Sequence, residues 1–303
     1  MKKLVLLIAI FTTSWQLLNA EDPDVLWTVD NTKPYLTTYE CRFTPDNKFV
    51  IATTGKTITK YDALTGQFIS RFQDTCDFEI TKMALSKTCS KILTCDFPQH
   101  KLYVWDYVTE KQIKVINYES DTIGGLSGFD LSPDDKYALV GLMDKENYNN
   151  MILLNLDNYY EEKKFDVKGS IWEIAFSPDR KYFVTASLVY DTHYQNQYSY
   201  LYLWKTENWE FVQELGYLKY KIINIRFSND GSKLACAVEN DTLTIWDMNN
   251  RIKIKEYPQN VQADYYYNRA AFSNNKNNIV LSGYGSNMFT LYIDLFNDSL
   301  NYK

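Results

Sequence analysis

Histidine is almost absent from this sequence. Only two of its 303 residues are histidines, His100 and His193, and both fall in predicted loops. A Ser-His or Cys-His catalytic pair needs the base within hydrogen-bond reach of the nucleophile, and nothing in the spacing indicates such a pair. We therefore expect both histidines to be solvated loop residues without a catalytic role.

The sequence also lacks a basic stripe. Its formal net charge is −6, and its lysines and arginines are scattered. Proteins that bind nucleic acids usually concentrate positive charge on one face. The charge pattern therefore argues against a nucleic acid as the partner.

Long apolar runs are absent after the first twenty residues. Residues 1–20, MKKLVLLIAIFTTSWQLLNA, combine two lysines, an apolar run from Leu4 to Leu18, and Ala20 before Glu21. This is the pattern of a secretory signal peptide. The alternative is an uncleaved anchor, but a run interrupted by Thr, Ser and Gln spans a bilayer poorly. We expect a secreted or secretory-lumen protein that does not insert into a membrane after signal cleavage.

A repeated pattern of short strands fills the rest of the chain. The stretch from Ile222 to Asn249 reads as three strands: an alternating apolar run ending at Phe227, then Leu234 to Val238, then Leu243 to Trp246. The other blocks repeat this order, and their aligned anchor residues are 42 to 51 residues apart: Phe43, Leu85, Leu131, Phe176, Phe227 and Phe272.

Repeats of this length hold the four strands of a propeller blade. We therefore predict one all-β domain over residues 21–303, a β-propeller of six four-stranded blades. The sixth block has three predicted strands, and Val25 to Val29 is a spare strand. We expect this spare strand to complete the last blade and close the ring. Seven blades, or an open sandwich of short strands, are the alternatives.

Two motifs in the blocks resemble those of WD-repeat propellers. The turn after the inner strand is matched by Leu131-Ser132-Pro133-Asp134, Phe176-Ser177-Pro178-Asp179 and Phe227-Ser228-Asn229-Asp230-Gly231. The end of the third strand is matched by Val104-Trp105-Asp106 and Ile245-Trp246-Asp247, and in degenerate form by Leu203-Trp204-Lys205 and Lys60-Tyr61-Asp62. The likeness covers residues 25 to 295 and extends to YVTN-type propellers. It implies structural roles for these residues and no chemistry. No block has the Gly-His pair common in the family, so its buried histidine network is not expected.

The predicted channel offers a poor metal site. Enzymatic propellers usually bind a metal through oxygen ligands at the starts of the inner strands. Those positions here contain one carboxylate and one lysine, so we expect a non-enzymatic protein without a cofactor. They lie near Tyr39, Glu79, Leu126, Ser170, Lys221 and Asn268.

The chain has five cysteines, an odd number for an oxidising compartment. Cys76 and Cys95 are predicted at the same end of one blade, the end formed by the loops that enter inner strands, which we call the top. A disulfide between them is our first expectation, and Cys41 with Cys89 is a weaker pair. Cys236 is expected to be a buried thiol. The alternative is that all five are reduced and buried.

Two N-glycosylation sequons begin at Asn240 and Asn297. Asn240 falls in a predicted turn and Asn297 in the C-terminal tail. Both should be exposed, and they matter only in a eukaryotic host.

The top also gathers the predicted insertions, which are rich in tyrosine. These are Leu188 to Tyr200, Gln259 to Tyr267 and Asp144 to Asn150. Tyrosine gives large contact area at low entropic cost, so such loops suit recognition. We predict a binding scaffold for an unidentified protein partner. The candidate contact residues are Tyr148, Tyr190, Tyr194, Tyr198, Tyr265, Tyr266 and Tyr267.

Three alternatives stay open. Codon bias could account for the tyrosines, which would then pack on their own blades. Tyrosine and amide side chains also stack on and hydrogen-bond sugars, so a glycan-binding propeller is the second hypothesis. A hydrolase with a channel metal is the third.

Overall fold

The computed structural model describes residues 40–96, 101–118, 123–144, 150–190, 196–239, 242–258, 266–272, 278–284, 289–294 and 299–302. The chain divides into two compact units, Met1–Asp121 and Thr122–Lys303. Every regular element in the described residues is a β-strand.

The strands form six four-stranded antiparallel sheets, and each sheet is one consecutive run of the chain. The first unit contains two sheets. Sheet 1 has β1 (Cys41–Phe43), β2 (Phe49–Thr54), β3 (Thr57–Asp62) and β4 (Phe68–Arg71), and sheet 2 has β5 (Ile80–Leu85), β6 (Lys91–Asp96), β7 (Lys101–Asp106) and β8 (Lys111–Asn117).

The second unit contains four sheets. Sheet 3 has β9 (Ile123–Leu131), β10 (Tyr137–Asp144), β11 (Met151–Asn155) and β12 (Glu161–Phe165), and sheet 4 has β13 (Ser170–Phe176), β14 (Tyr182–Tyr190), β15 (Gln197–Lys205) and β16 (Phe211–Lys219). Sheet 5 has β17 (Ile222–Phe227), β18 (Lys233–Val238), β19 (Thr242–Asp247) and β20 (Ile252–Pro258), and sheet 6 has β21 (Tyr266–Phe272), β22 (Asn278–Tyr284), β23 (Phe289–Asp294) and β24 (Ser299–Tyr302).

The all-β propeller prediction is confirmed, because each sheet is the four-stranded meander of a blade. Each of the six predicted anchor residues is the last residue of the first strand in its sheet. The predicted completion of the last sheet is wrong. Its fourth strand is Ser299–Tyr302, paired with β23, since the chain after Asp294 is long enough to turn and pair. Val25 to Val29 lies outside the described residues.

The Ser-x-Asp turns after the first strands work as predicted. Ser177 Oγ donates to Asp179 Oδ1 at 2.6 Å and accepts from the backbone amide of Tyr182 at 3.0 Å. Ser132, Ser228 and Thr44 make the same pair of contacts in sheets 3, 5 and 1. The hydrogen bond from Thr44 lowers the pKa of Asp46. One hydroxyl therefore satisfies both sides of each turn.

The tryptophans near the ends of the third strands are core residues. Trp105 is fully buried, and its Nε1 donates to Thr94 Oγ1 at 2.9 Å. Trp204 Nε1 donates to Thr185 Oγ1 at 3.1 Å, and its ring stacks on Phe183 at 5.8 Å. A buried indole N–H needs such an acceptor. These indole–hydroxyl bonds form without the family's histidine.

Within each unit, neighbouring sheets are joined at their first strands, which we call the inner strands. Glu40 is buried, and its Oε2 accepts from the backbone amide of Met83 at 3.0 Å. Asn224 Oδ1 accepts from the amide of Ala270, also at 3.0 Å. Both acceptors lie three residues before the anchor of their block, and both donors lie two residues before the next anchor.

The same position in sheet 3 is Gly128. A Cβ there would lie 2.8 Å from the carbonyl oxygen of Trp172 in sheet 4. The backbones therefore approach so closely that only glycine fits. In sheet 4 the position is Glu173, which is 3% exposed and lies 3.8 Å from the guanidinium of Arg226 in sheet 5.

The turns between third and fourth strands hold a second set of sheet-to-sheet contacts. One residue of each turn has positive φ: Gly66, Glu110, Tyr159, Trp209 and Arg251 in sheets 1 to 5. Glu110 accepts from Ser70 Oγ of sheet 1 at 2.7 Å, and Arg251 donates to Gln213 of sheet 4 at 3.0 Å. Trp209 packs edge-on against Tyr137 of sheet 3 at 5.4 Å.

The four non-glycine residues of this set adopt a backbone conformation that favours glycine. The strain costs roughly 1 kcal/mol of stability for each residue. At Glu110, Trp209 and Arg251, the contact with the preceding sheet offsets that cost. We expect Trp209→Gly to destabilise the protein by about 2–3 kcal/mol, because lost aromatic packing exceeds the relief of backbone strain. Urea unfolding followed by tryptophan fluorescence and far-UV circular dichroism measures the change.

Asn47→Gly is the matched control. Asn47 has φ 57° and is exposed in a turn of sheet 1. It should be neutral or stabilise the protein by up to about 1 kcal/mol. Equal changes in the free energy of unfolding for the two substitutions would contradict a stabilising contact between Trp209 and the preceding sheet.

Candidate functional site

Among the described sheets, sheet 4 combines three of the longest strands, and they extend to the predicted top. β14, β15 and β16 each have nine residues. The predicted insertion from Leu188 to Tyr200 is strand at both ends: Leu188 pairs with Ser199, and Tyr190 pairs with Gln197. The prediction of a loop is wrong for these residues, because the two strands stay paired without interruption as far as Tyr190 and Gln197. The part from 191 to 195 lies outside the described residues.

The extended hairpin carries a cluster of tyrosine rings. Tyr198 and Tyr217 meet edge to face at 5.8 Å, and Tyr200 and Tyr217 lie 5.7 Å apart. Tyr200 also stacks on the buried Tyr202 at 6.1 Å and 8°. Tyr217 is 60% exposed, and Tyr198 and Tyr200 are half-buried. We call Tyr198, Tyr200 and Tyr217 the tyrosine cluster.

The alternation of β15 places the tyrosine cluster on one face of sheet 4. Tyr202 and Trp204 continue the row into the core between sheets 3 and 4. Tyr200 packs against this core, and Tyr217 packs against both Tyr200 and Tyr198. The tyrosine cluster therefore extends the hydrophobic core to the surface.

The structure separates two of the predicted contact residues. Tyr190 pairs with Gln197, whereas Tyr198 pairs with Val189. Paired residues share a face and successive residues alternate, so Tyr190 and Tyr198 lie on opposite faces of the hairpin. Tyr190 is 48% exposed.

Of the other predicted contact residues, two lie in a strand and three fall outside the described part. Tyr266 and Tyr267 belong to β21, so the predicted loop there ends earlier than expected. Tyr148, Tyr194 and Tyr265 lie outside the described residues. Sequence reasoning missed Tyr200 and Tyr217. The repeated Tyr-x-Tyr pattern of residues 198–202 was a signal for the first of these.

Three lysines cover aromatic rings around the top of sheet 4. Lys168 Nζ lies 5.1 Å from the Tyr200 ring centroid, and Lys219 Nζ lies 5.0 Å from that of Tyr220. Lys221 Nζ lies 3.3 Å from the centroid of Trp172. Such cation–π contacts contribute about 0.5–2 kcal/mol each. We call Lys168, Lys219 and Lys221 the lysine set.

The loop of Lys168 is held by hydrogen bonds. The buried Asn150 accepts from the amide of Val167 at 3.0 Å and donates to the carbonyls of Val167 and Gly169. Ser187 Oγ donates to the carbonyl of Lys168. The position of this lysine is therefore set by the sheet behind it.

Gly216 sets the position of the outer strand that carries Tyr217. It has φ 154°, and a Cβ there would lie 2.9 Å from Cη2 of Trp246 in sheet 5. The pairing of β15 with β16 shifts by one residue at this point. The bulge lets Trp246 fit beneath the outer strand while Tyr217 faces Tyr200.

A profile of the WD40 family, described as WD domain, G-beta repeat, matches residues 162–193. The matched segment covers most of β12, all of β13 and β14, and the start of the connection that follows. The match and the sheets support a WD-repeat propeller. WD-repeat propellers commonly mediate protein–protein interaction. Comparison of this sequence with the curated proteins finds no match.

The expected disulfide between Cys76 and Cys95 is not formed in the structure. Cys76 Sγ lies 3.8 Å from Thr94 Oγ1, while Cys95 Sγ lies 3.9 Å from Thr81 Oγ1. Thr94 and Cys95 are successive residues of β6, so the two thiols lie on opposite sides of the strand. Cys76, Cys95 and Cys236 are free thiols, and Cys236 is fully buried, as predicted.

The structure gives less information about the other predicted features. Asn240, Asn297, His100 and His193 fall outside the described residues. Within the described ranges, no group of three or more His, Cys, Asp or Glu side chains could hold a metal ion. No helix in the described part of the chain is long and apolar enough to span a membrane.

The buried thiols should be inert in the folded protein. Burial raises the pKa of Cys76 and Cys236, and it raises the pKa of Cys95 to about 12. Their thiolate fraction at pH 8 is therefore negligible. We expect maleimide at pH 8 to modify the half-buried Cys41 and Cys89 first, and the other three only after unfolding.

Peptide mapping by mass spectrometry after labelling locates each adduct. Labelling in guanidinium chloride is the control and should modify all five cysteines. A peptide containing Cys76 linked to Cys95 in a non-reduced digest would contradict this prediction.

Proposed function

We propose that this WD-repeat propeller is a non-enzymatic scaffold, and that it binds a protein partner through the top of sheet 4. The exposed, rigid tyrosine cluster is the observation that supports the proposal most directly. Its rings are held by the core, so binding orders few side chains and costs little conformational entropy. Tyrosine hydroxyls at the cluster's edge can donate to or accept from a partner.

The surrounding architecture supports the same proposal. Loops on a rigid scaffold are common sites of recognition, and sheet 4 extends its hairpin beyond the six-residue strands of sheets 2 and 5. The hairpin therefore projects the cluster. The segment matched by the WD40 profile includes β14, one strand of this hairpin.

Secretion is part of the proposal. This part rests on residues 1–20, whose sequence has the pattern of a signal peptide. The partner would then be a protein of the secretory route or the cell exterior. The glycan-binding alternative finds less support at Tyr200, because Lys168 covers the ring face on which a sugar would stack.

A capture experiment tests the proposed surface. The purified mature chain serves as bait in its native secretory fraction, and recovered proteins are identified by mass spectrometry. We expect a Tyr198→Ser, Tyr217→Ser variant to lose the partner that the wild type recovers, because removing two central aromatic anchors typically costs more than 2 kcal/mol of binding.

Tyr160→Ser is the matched control. Tyr160 is 73% exposed in the turn that precedes β12 of sheet 3, away from the hairpin. The control variant should recover the partner like the wild type. All variants are compared by thermal unfolding, so that loss of binding is not confused with loss of fold. Full recovery by the folded double variant would overturn the proposed surface.

A further inference from the structure

We infer that Asp96 is a proton-sensitive residue at the joint between sheets 1 and 2, and that protonation of its carboxyl strengthens this joint as the pH falls. The joint is the connection from β4 to β5, residues 72–79. Both sheets belong to the first unit. The inference is therefore independent of the proposed binding surface on sheet 4.

Asp96 ends β6 and holds the connection through one of its two carboxyl oxygens. Its Oδ2 accepts from the backbone amide of Phe78 at 3.1 Å and from the hydroxyl of Tyr103 at 2.7 Å. That hydroxyl in turn accepts from the amide of Asp77 at 3.2 Å. Asp96 and Tyr103 are both buried. Two successive amides of the connection therefore depend on this pair of side chains.

The same connection is bonded to sheet 1. The amide of Cys76 donates to the carbonyl of Lys56 at 2.7 Å. The amide of Ile80, the first residue of β5, donates to the carbonyl of Gly55 at 2.8 Å. Lys56 Nζ donates to the carbonyl of Asp77 at 2.6 Å. The connection thus joins the two sheets, and its contacts with the side chains of sheet 2 converge on one carboxyl.

The other carboxyl oxygen of Asp96, Oδ1, is buried and has no hydrogen-bond partner in the described part of the chain. An ionised carboxylate is costly there, because burial removes its water and nothing replaces that water at Oδ1. A proton on Oδ1 removes the charge and leaves Oδ2 free to accept both hydrogen bonds. Burial accordingly raises the pKa of this carboxyl, although the bonds from Tyr103 and from the amide of Phe78 act in the opposite direction.

No described residue forms an ion pair with Asp96. Burial raises the pKa of Tyr103 and of Cys76, so both stay neutral. The charge of Asp77 raises the pKa of Asp96 further, while the Asp77 carboxylate itself pairs with Lys101. The other titratable or charged residues on the adjoining elements are Lys56, Glu79, Lys82, Cys95 and, outside the described residues, His100.

The folded protein therefore binds the proton of Asp96 more tightly than the unfolded chain, in which aspartate titrates at about pH 3.9. Between that pH and the raised pKa of the folded state, the stability contributed by Asp96 falls as the pH rises. Above the raised pKa, the full cost of the ionised group remains.

Thermal unfolding of the full chain and of Asp96→Asn, followed by far-UV circular dichroism from pH 8 to pH 4, tests the inference. The asparagine carbonyl can accept the two bonds of Oδ2, and the side chain has no proton to gain. The readout is the change with pH in the Tm difference between the two proteins. The wild type should gain roughly 2–4 °C on the variant as the pH falls. A constant difference would overturn the inference.

Asp106→Asn is the matched control, at the end of the neighbouring strand β7. Asp106 accepts from the amide and the hydroxyl of Thr109, and these bonds lower its pKa. Its contribution to stability is therefore lost as the pH falls. The wild type should gain nothing on this control, and an equal gain on both variants would contradict a specific role of Asp96.

Two further variants keep the inference testable if Asp96→Asn fails to fold. Tyr103→Phe removes a hydrogen bond that lowers the pKa of Asp96, so its Tm should gain more than that of the wild type between pH 8 and pH 4. An equal or smaller gain would overturn the inference. His100→Gln should keep the full response of the wild type to pH, and loss of that response would assign the proton to His100 instead.

Discussion

The junctions between neighbouring inner strands are the constraint on which each unit depends. An inner strand is buried against the next sheet, and its backbone amides must find acceptors there because a buried unsatisfied amide costs about 1–3 kcal/mol. Glu40 and Asn224 supply such acceptors from the same repeat position. Asp130 does so from a position two residues later, accepting from the amide of Phe176 at 2.9 Å.

A bulge makes this side-chain geometry available. In four sheets the pairing of the inner strand shifts by one residue just before the junction position. The shift turns the following side chain out of the ordinary alternation. A polar residue that would read as solvent-facing in a regular strand, such as Asn224, is then fully buried. Binary patterning does not reveal such a position.

Much of the fold could be predicted from the sequence because its determinants are local. Turn chemistry at Ser177 and Asp179 fixes the end of a strand within a few residues, and so the anchors coincide with strand ends. The wrong predictions concern segments where pairing with another strand overrides the local sequence preference. The hairpin of Tyr190 and Tyr198 stays paired because strand pairing continues wherever a partner strand is present, whatever the loop composition suggests.

The positive-φ turns show a second limit of sequence reasoning. At Trp209 and Arg251 the local preference is for glycine, as at Gly66. The residues present are explained only by what they contact in the preceding sheet. Local rules fail where a residue joins two sheets, which is where a repeat protein gains its cooperativity.

The sequence predicted a tyrosine-rich recognition surface, but it did not predict which tyrosines form it. Abundant tyrosine near one end of the blades pointed to a recognition surface, but pairing register decides which rings share a face. Register places Tyr200 and Tyr217 together and puts Tyr190 on the other side. It also brings Lys168 from the preceding loop over the Tyr200 ring. The chemical character of the surface, cationic groups backed by fixed rings, thus arises from three segments that the sequence alone does not bring together.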